Sequence, residues 1–363
     1  MRYFTPGPVE LHPRVLQALS KQVVSHRSVE FREVLGETLE LLRKVYMTTK
    51  GDIALITGSG TAAVDAMVYS MVSPGDKTLA LVFGEFGERM LNALNARGCE
   101  VDVLHEKPGR VVDVEKVKEK LDEKEYKALF TVHTETSTGA TLRWLRDVAV
   151  EAKKRNVLVC VDTVSSLAGE PLRMDEWGLD AVASCSHKCI GGPPGISFVA
   201  LSPEAVETIA RTAPKPSYLD LNKCVKFHRE RTETPFTPAV NVIYGLLEAL
   251  RILVLEEGVE ARWERLRKLS ENLYTKAREA GLGMLPEENV KSSSVVALTL
   301  PNGIKASNLV KLLRERYGVM LARGMGELKE QVIRIGVMGY INDNDVKLIA
   351  EALQKAVGEA RGG

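Results

Sequence analysis

The sequence predicts an α/β protein built on a mostly parallel central sheet flanked by helices, followed by a smaller C-terminal α+β unit. Three observations carry this expectation. Between residues 53 and 201, short runs of continuous apolar residues alternate with amphipathic stretches of helix length. That is the pattern of strands covered on both faces by crossover helices. After Glu256-Glu257-Gly258 the alternation gives way to long, charged helical stretches separated by single strands. The 363 residues, 45% of them hydrophobic, suffice for about two domains with full cores.

Taken in order, the first apolar run, 53–57, leads through Thr57-Gly58-Ser59-Gly60-Thr61 into a helix over 61–72. Runs at 78–83, 101–104 and 128–132 follow, with helical stretches at 88–96 and 113–120 between them. A helix over 142–155 precedes the run 157–162, which ends in Asp162. Two further runs, 180–184 and 196–201, enclose a turn rich in small residues. A long helix is expected from 238 to about 255, with Thr237 as N-cap and Pro238 at the first helical position, where a missing N–H costs nothing. The C-terminal unit reads as helix 259–280, strand 295–300, helix 306–317, strand 332–337 and helix 344–359. The expected division is an N-terminal arm over 1–18, a large domain over 19–255 and a small domain over 256–363. The irregular Tyr3-Phe4-Thr5-Pro6-Gly7-Pro8-Val9 lies in the arm.

Lys+Arg 49 against Asp+Glu 48 leaves a net charge of +1, which argues against a broad basic footprint for nucleic acid. No apolar run reaches the roughly 18 residues of a membrane span. Met1-Arg2-Tyr3-Phe4-Thr5-Pro6 does not read as a signal peptide, and the expectation is a soluble, cytoplasmic protein that binds no membrane. Five cysteines are too few and too scattered for a disulfide framework. Cys185 and Cys189 flank Lys188, but no second Cys/His cluster accompanies them. They read as small residues in a tight turn, and no metal site is expected.

The chemistry is expected at Lys188. It stands in Ser184-Cys185-Ser186-His187-Lys188-Cys189-Ile190-Gly191-Gly192-Pro193-Pro194-Gly195, between two apolar runs where little water reaches it. Such surroundings lower a lysine's pKa and make its amine a nucleophile toward a carbonyl. Asp162 precedes it by 26 residues at the carboxyl end of a buried run, where α/β sheets place ligand-facing groups. Alone it reads more readily as a helix cap or turn residue. Paired with Lys188 it matches the needs of pyridoxal phosphate (PLP): an amine for the aldehyde and an anion for the pyridinium nitrogen.

Four further segments admit two readings each. Ser59, Gly60 and Thr61 open a helix after a strand and can cradle a phosphate, or simply make a tight turn. The string lacks the glycine and lysine pattern of a nucleotide-binding loop. The hydroxyls of Glu135-Thr136-Ser137-Thr138-Gly139 can line a polar ligand, or belong to a polar loop. Phe86, between two glycines, can stack on a flat ring or pack in the core. Arg334, inside Val332-Ile333-Arg334-Ile335-Gly336, offers a fork for a carboxylate or a structural salt bridge.

Taken together these segments resemble the class V, fold type I, PLP-dependent aminotransferases, and most closely the serine–pyruvate/alanine–glyoxylate branch. The resemblance runs from Thr5-Pro6-Gly7-Pro8 to Arg334-Ile335-Gly336. Its most specific parts are Ser186-His187-Lys188 with Gly192-Pro193-Pro194-Gly195, and the order Glu135-Thr136-Ser137-Thr138-Gly139, Asp162, Lys188, Arg334. It implies transamination of a small amino acid such as serine or alanine, with pyruvate or glyoxylate as acceptor. It implies that Lys188 carries the cofactor aldehyde and shuttles the proton, and that Asp162 pairs with the ring nitrogen. Ser59, Gly60, Thr61 and His187 would hold the phosphate, Phe86 would stack on the ring and Thr136 would bond its hydroxyl side. Arg334 would bind the substrate carboxylate, with Gly7 near the substrate. Thr237, in Glu233-Thr234-Pro235-Phe236-Thr237-Pro238, would reach the phosphate of a neighbouring subunit, which implies a homodimer with shared active sites.

The chain departs from the animal peroxisomal members. Thr61 stands where they usually have His, Phe86 where they have Trp, His187 for Gln and Thr234 for Tyr. Arg361-Gly362-Gly363 is not a peroxisomal tripeptide. Two competing readings are a cysteine desulfurase or lyase of the same fold, and a non-catalytic PLP-binding regulator. The first normally stacks a His on the ring and carries a loop cysteine, whereas Phe86 and Arg323-Gly324-Met325-Gly326 stand here. The second needs a DNA-binding module or basic patch for which the length and charge leave no room.

Overall fold

The structure is a computed structural model that describes residues 1–362. The seven apolar runs form one mixed sheet from β1 (Asp52–Thr57), β2 (Lys77–Val82), β3 (Glu100–His105), β4 (Ala128–Val132), β5 (Leu158–Asp162), β6 (Ala181–Cys185) and β7 (Ile196–Leu201). Their spatial order is β1-β7-β6-β5-β4-β2-β3. Only β7 runs against the rest, pairing antiparallel with β1 and β6. The four pairings from β6 across to β3 are parallel. The strands β4 to β7 are buried along their whole length. Each Leu, Ile or Val taken out of water there contributes about 1.5–3 kcal/mol.

Helices cover the sheet: α1 (Pro13–Leu19), α2 (Val29–Tyr46), α3 (Gly60–Met71), α4 (Glu85–Arg97), α5 (Val114–Glu123), α6 (Leu145–Lys153), α7 (Pro203–Arg211), α8 (Leu221–Arg231) and α9 (Val240–Arg251). The register sets Asp162 level with Val132 on β4 and Ala183 on β6. Three adjacent strands therefore end side by side, and the loops after them open on one edge. This is where parallel α/β sheets bind ligands.

Four antiparallel strands form a second sheet: β8 (Gly283–Met284), β9 (Val295–Thr299), β10 (Ala322–Arg323) and β11 (Val332–Gly336), in the order β8-β9-β11-β10. Helices α10 (Val259–Glu279), α11 (Ala306–Tyr317) and α12 (Asp343–Gly362) accompany it. Arg334 lies in the middle of β11, flanked by Ala297 and Ala322. Near the N-terminus, Arg2–Tyr3 pairs in parallel with Val319–Met320, and the Gly336 amide donates to the Phe4 carbonyl at 2.7 Å. Among the described residues, no helix is long and apolar enough to cross a membrane.

One helix start differs from expectation. Helix α9 begins at Val240 with Ala239 as N-cap, so neither Thr237 nor Pro238 opens it. The reason is not local. The Ala239 amide donates to the Thr57 hydroxyl at 3.1 Å, so the end of β1 anchors the residue just before the helix, which has no side-chain cap. The expected helix also continues past Arg251 as a π-helical turn, Ile252–Glu257.

Candidate active site

Asp162 is the last residue of β5 and is buried. Its Oδ1 accepts the Val164 amide at 2.8 Å. Burial pushes the carboxyl up to about 7; the nearby Glu135 charge adds to this, and Lys188 opposes it. A buried acid in this state is stabilised by any cation that arrives beside it.

Lys188 sits in the turn between β6 and β7. The turn is tied at its base, where Ser186 Oγ donates to the Pro193 and Ile196 carbonyls and the Gly192 amide donates to the Ser186 carbonyl. Lys188 is 8% exposed, and burial lowers its pKa below the usual lysine range. Its Nζ donates to the carbonyl of Pro6. Gly7 follows at φ +85°, and a Cβ there would lie 2.5 Å from Lys188 Cδ. The N-terminal segment thus closes over the lysine through a position that admits only glycine.

Ser59, Gly60, Thr61, Phe86, Asp162, His187 and Lys188 line one cavity of about 140 Å³. Ser59 is the N-cap of α3 yet makes no side-chain cap bond, which leaves its hydroxyl and the positive helix end for an anion. Gly60 is close-packed: a Cβ would approach Val164 Cγ2 to 2.8 Å. His187 Nδ1 is buried without a partner, and burial lowers the ring's pKa to about 4, so the imidazole is neutral at neutral pH. Phe86 is half-buried on α4, and the Arg89 guanidinium lies 4.7 Å from its ring centroid. Val64, Asp65, Arg89 and Val164 also line the cavity. None of them stands out in the sequence. For Val64, Asp65 and Arg89 the available signal is their i+3 and i+4 spacing from Thr61 and Phe86 on α3 and α4; Val164 follows Asp162 by two residues in the turn after β5.

The other expected residues lie outside this lining. Thr136 is buried, with its hydroxyl 2.5 Å from Ser165 Oγ. Arg334 Nη1 donates to the Thr136 carbonyl at 3.0 Å and Nε to the Arg323 carbonyl at 2.8 Å. Among the described residues no carboxylate lies within 4 Å of this guanidinium, so it is not part of a salt bridge. Burial lowers its pKa to about 10, and the Glu135 charge works against that shift. Thr237 is exposed in the loop before α9, beside Tyr218 and Phe236. Cys185 Sγ lies 3.6 Å from His187 Nε2, while Cys189 Sγ points to the Ser165 carbonyl at 3.4 Å. Burial pushes both thiols up to about 12.

The residues present fit PLP. One buried amine, one buried carboxyl whose pKa burial raises to about 7, an aromatic face and a helix N-terminus with an uncommitted serine hydroxyl share a single cavity. The unpartnered His187 Nδ1 is a buried polar atom awaiting a ligand.

A family model described as aminotransferase class V matches residues 4–349. An uncharacterized aminotransferase of Methanocaldococcus jannaschii is 36% identical, covering 98% of this chain and 92% of its own length. An alanine–glyoxylate aminotransferase structure from Nostoc superposes with a TM-score of 0.93 at 32% identity, covering 98% of this chain and 94% of that one. An aspartate aminotransferase structure from Thermus thermophilus gives 0.91 at 33% identity, covering 99% and 100%.

Proposed function

The chain belongs to the class V aminotransferase family, and we propose that it transfers the amino group of a small L-amino acid, serine or alanine, to pyruvate or glyoxylate. The family implies PLP as the cofactor. The observation that supports the reading is the meeting of Lys188 and Asp162 in one cavity, with the ion-pair-free Arg334 on the second sheet. The similarity to the Nostoc alanine–glyoxylate enzyme supports the small donor.

Bound PLP supplies an electron sink for the carbon that bears the substrate amine. With the cofactor bound, Lys188 Nζ would take the proton from that carbon and give it up on the cofactor side, acting first as base and then as acid. The burial that lowers its pKa favours the unprotonated amine that the first task needs. Asp162 offers its charge to the ring nitrogen, and Phe86 offers its face to the ring. Ser59, Gly60, Thr61 and His187 hold the phosphate. Arg334 presents its guanidinium fork to the substrate carboxylate, and Gly7 keeps the space beside Lys188 clear. In this reading the large domain, 19–255, carries the cofactor, the small domain, 256–363, supplies Arg334, and the arm, 1–18, covers the lysine. The exposed Thr237 loop reaches the phosphate end of a second subunit in a homodimer.

A second donor is favoured by one observation. Arg89 lines the cavity and, among the described residues, has no carboxylate within 4 Å, so it could take the side-chain carboxylate of aspartate, the donor named for the Thermus enzyme. A half-reaction screen separates the two. Amino acids are added singly to the PLP-loaded enzyme while the absorbance of the bound cofactor is followed. Serine or alanine should convert it fastest; conversion by aspartate alone would replace the small-donor reading. Lys188→Ala should abolish turnover, and full activity in that variant would end the lysine assignment.

A further inference from the structure

Glu135 is fully buried, yet among the described residues it has no cation within 4 Å. Its carboxylate is instead surrounded by hydrogen-bond donors. Oε1 accepts the Ser137 amide at 3.0 Å and the Ser137 hydroxyl at 2.6 Å, and Oε2 accepts the amides of Phe86 and Gly87, both at 3.1 Å. The Ser137 hydroxyl in turn accepts the Glu85 amide at 3.2 Å. Glu135 and Ser137 together satisfy the first three amides of α4.

Those amides have no partner within the helix. The residue that should cap them, Gly84, has no side chain. A Cβ at Gly84 would lie 2.6 Å from Glu135 Cδ, so glycine is what lets the carboxylate reach the helix end. A negative charge there also meets the positive end of the helix dipole. The carboxylate is thereby bonded to the amide of Phe86, the aromatic residue of the cofactor cavity.

The same residue reaches the second sheet. The next carbonyl along the chain, that of Thr136, accepts Arg334 Nη1 at 3.0 Å. The Glu135 charge opposes the burial that lowers the Arg334 pKa, and burial in turn raises the pKa of Glu135 against the hydrogen bonds from Ser137, Phe86 and Gly87. Arg334 is thus held at the carbonyl next to Glu135 and feels its charge, without an ion pair that would occupy its fork.

We infer that Glu135 is a positioning residue of this site: it fixes the start of α4 so that Phe86 faces the cofactor, and it balances Arg334 so that the guanidinium stays available to a substrate carboxylate. The Arg334 half of this inference rests on the role proposed for that residue above; the Phe86 half needs only the cofactor.

The test uses Glu135→Gln and Glu135→Asp in the full-length protein. PLP is titrated into the apoprotein by absorbance and fluorescence, and kcat and KM are measured with whichever donor the half-reaction screen identifies. An amide side chain sets its own N–H groups against the amides of α4 and removes the charge. Glu135→Gln should therefore bind PLP about tenfold more weakly or worse, and raise the donor KM at least about tenfold with a smaller effect on kcat. Glu135→Asp keeps the charge but shortens the reach, so it should recover KM more fully than PLP affinity. Wild-type PLP affinity in a folded Glu135→Gln protein would overturn the first half, and an unchanged KM the second. A fall in unfolding midpoint with both constants unchanged would reduce Glu135 to a structural residue and overturn the whole. The PLP titration involves no substrate, so an error in the assigned donor cannot be mistaken for an error about Glu135.

Discussion

Gly7 and Lys188, 181 positions apart, share a space that holds only one side chain. An ideal Cβ at Gly7 would lie 2.5 Å from Lys188 Cδ and 2.9 Å from Nζ, on a backbone at φ +85°. Gly7→Ala must therefore accept about 1–2 kcal/mol of left-handed strain and push the lysine off its position as well. The variant should lose at least about tenfold in kcat/KM and retain less cofactor after dialysis, read from its absorbance. Wild-type retention and turnover would show that the contact has no bearing on the site.

The Asp162 carboxyl, at about 7 when folded against 3.8 for a free side chain, holds a proton in the folded apoprotein that the unfolded chain has already lost. Its contribution is full below pH about 4 and disappears as pH rises through 7, by at most roughly 4 kcal/mol. The buried His133, His187 and His228, each held near 4 by burial, drive the opposite trend over the same range. The informative quantity is therefore the difference from Asp162→Asn. Denaturant unfolding of the two apoproteins should show wild type losing ground to the variant between pH 4 and 7. A constant gap would refute the raised pKa.

Arg334→Lys keeps the charge and removes the planar fork. The donor and acceptor KM values should both rise about ten- to a hundredfold while the bound-cofactor spectrum stays unchanged. Loss of cofactor with intact KM would place Arg334 on the wrong side of the site.

Glu170 is fully buried, and its carboxylate accepts Arg143 Nη1 at 2.5 Å, the hydroxyls of Ser292 and Ser293, both at 3.0 Å, and the Thr141 hydroxyl at 3.3 Å. It ties the segment entering β9 to the segments that follow β4 and β5, and β9 pairs with the strand that carries Arg334. Glu170→Ala leaves these donors unsatisfied and should cost about 3–5 kcal/mol in denaturant unfolding. An unchanged midpoint would mean that the network contributes no net stability.

The legible parts of this protein were those whose information is local. All seven strands of the main sheet could be read, because each is a compact apolar run; the strand at 128–132 matches residue for residue. Lys188 stood out because its neighbours in sequence are also its neighbours in space. Helices α2, α7 and α8 were passed over, although Ser28 and Ser202 cap two of them with their hydroxyls. Their polar faces diluted the apolar signal. The role of Glu135 has no local signal, since nothing near it in sequence shows that Gly84, 51 positions earlier, leaves a helix end uncapped.

By itself the sequence determined the α/β class, the order of strands and helices, and the places of Asp162 at the end of one apolar run and Lys188 in the turn after another. Periodicity and turn chemistry act over a few residues, and those features need nothing more. Only the tertiary structure decided that Pro6 and Gly7 close over Lys188, that Thr57 anchors Ala239 ahead of α9, and that Arg334 is held by two carbonyls and no carboxylate. Each joins segments far apart in the chain. Such contacts form only when packing of the two sheets brings the partners together, and no local pattern records that distance.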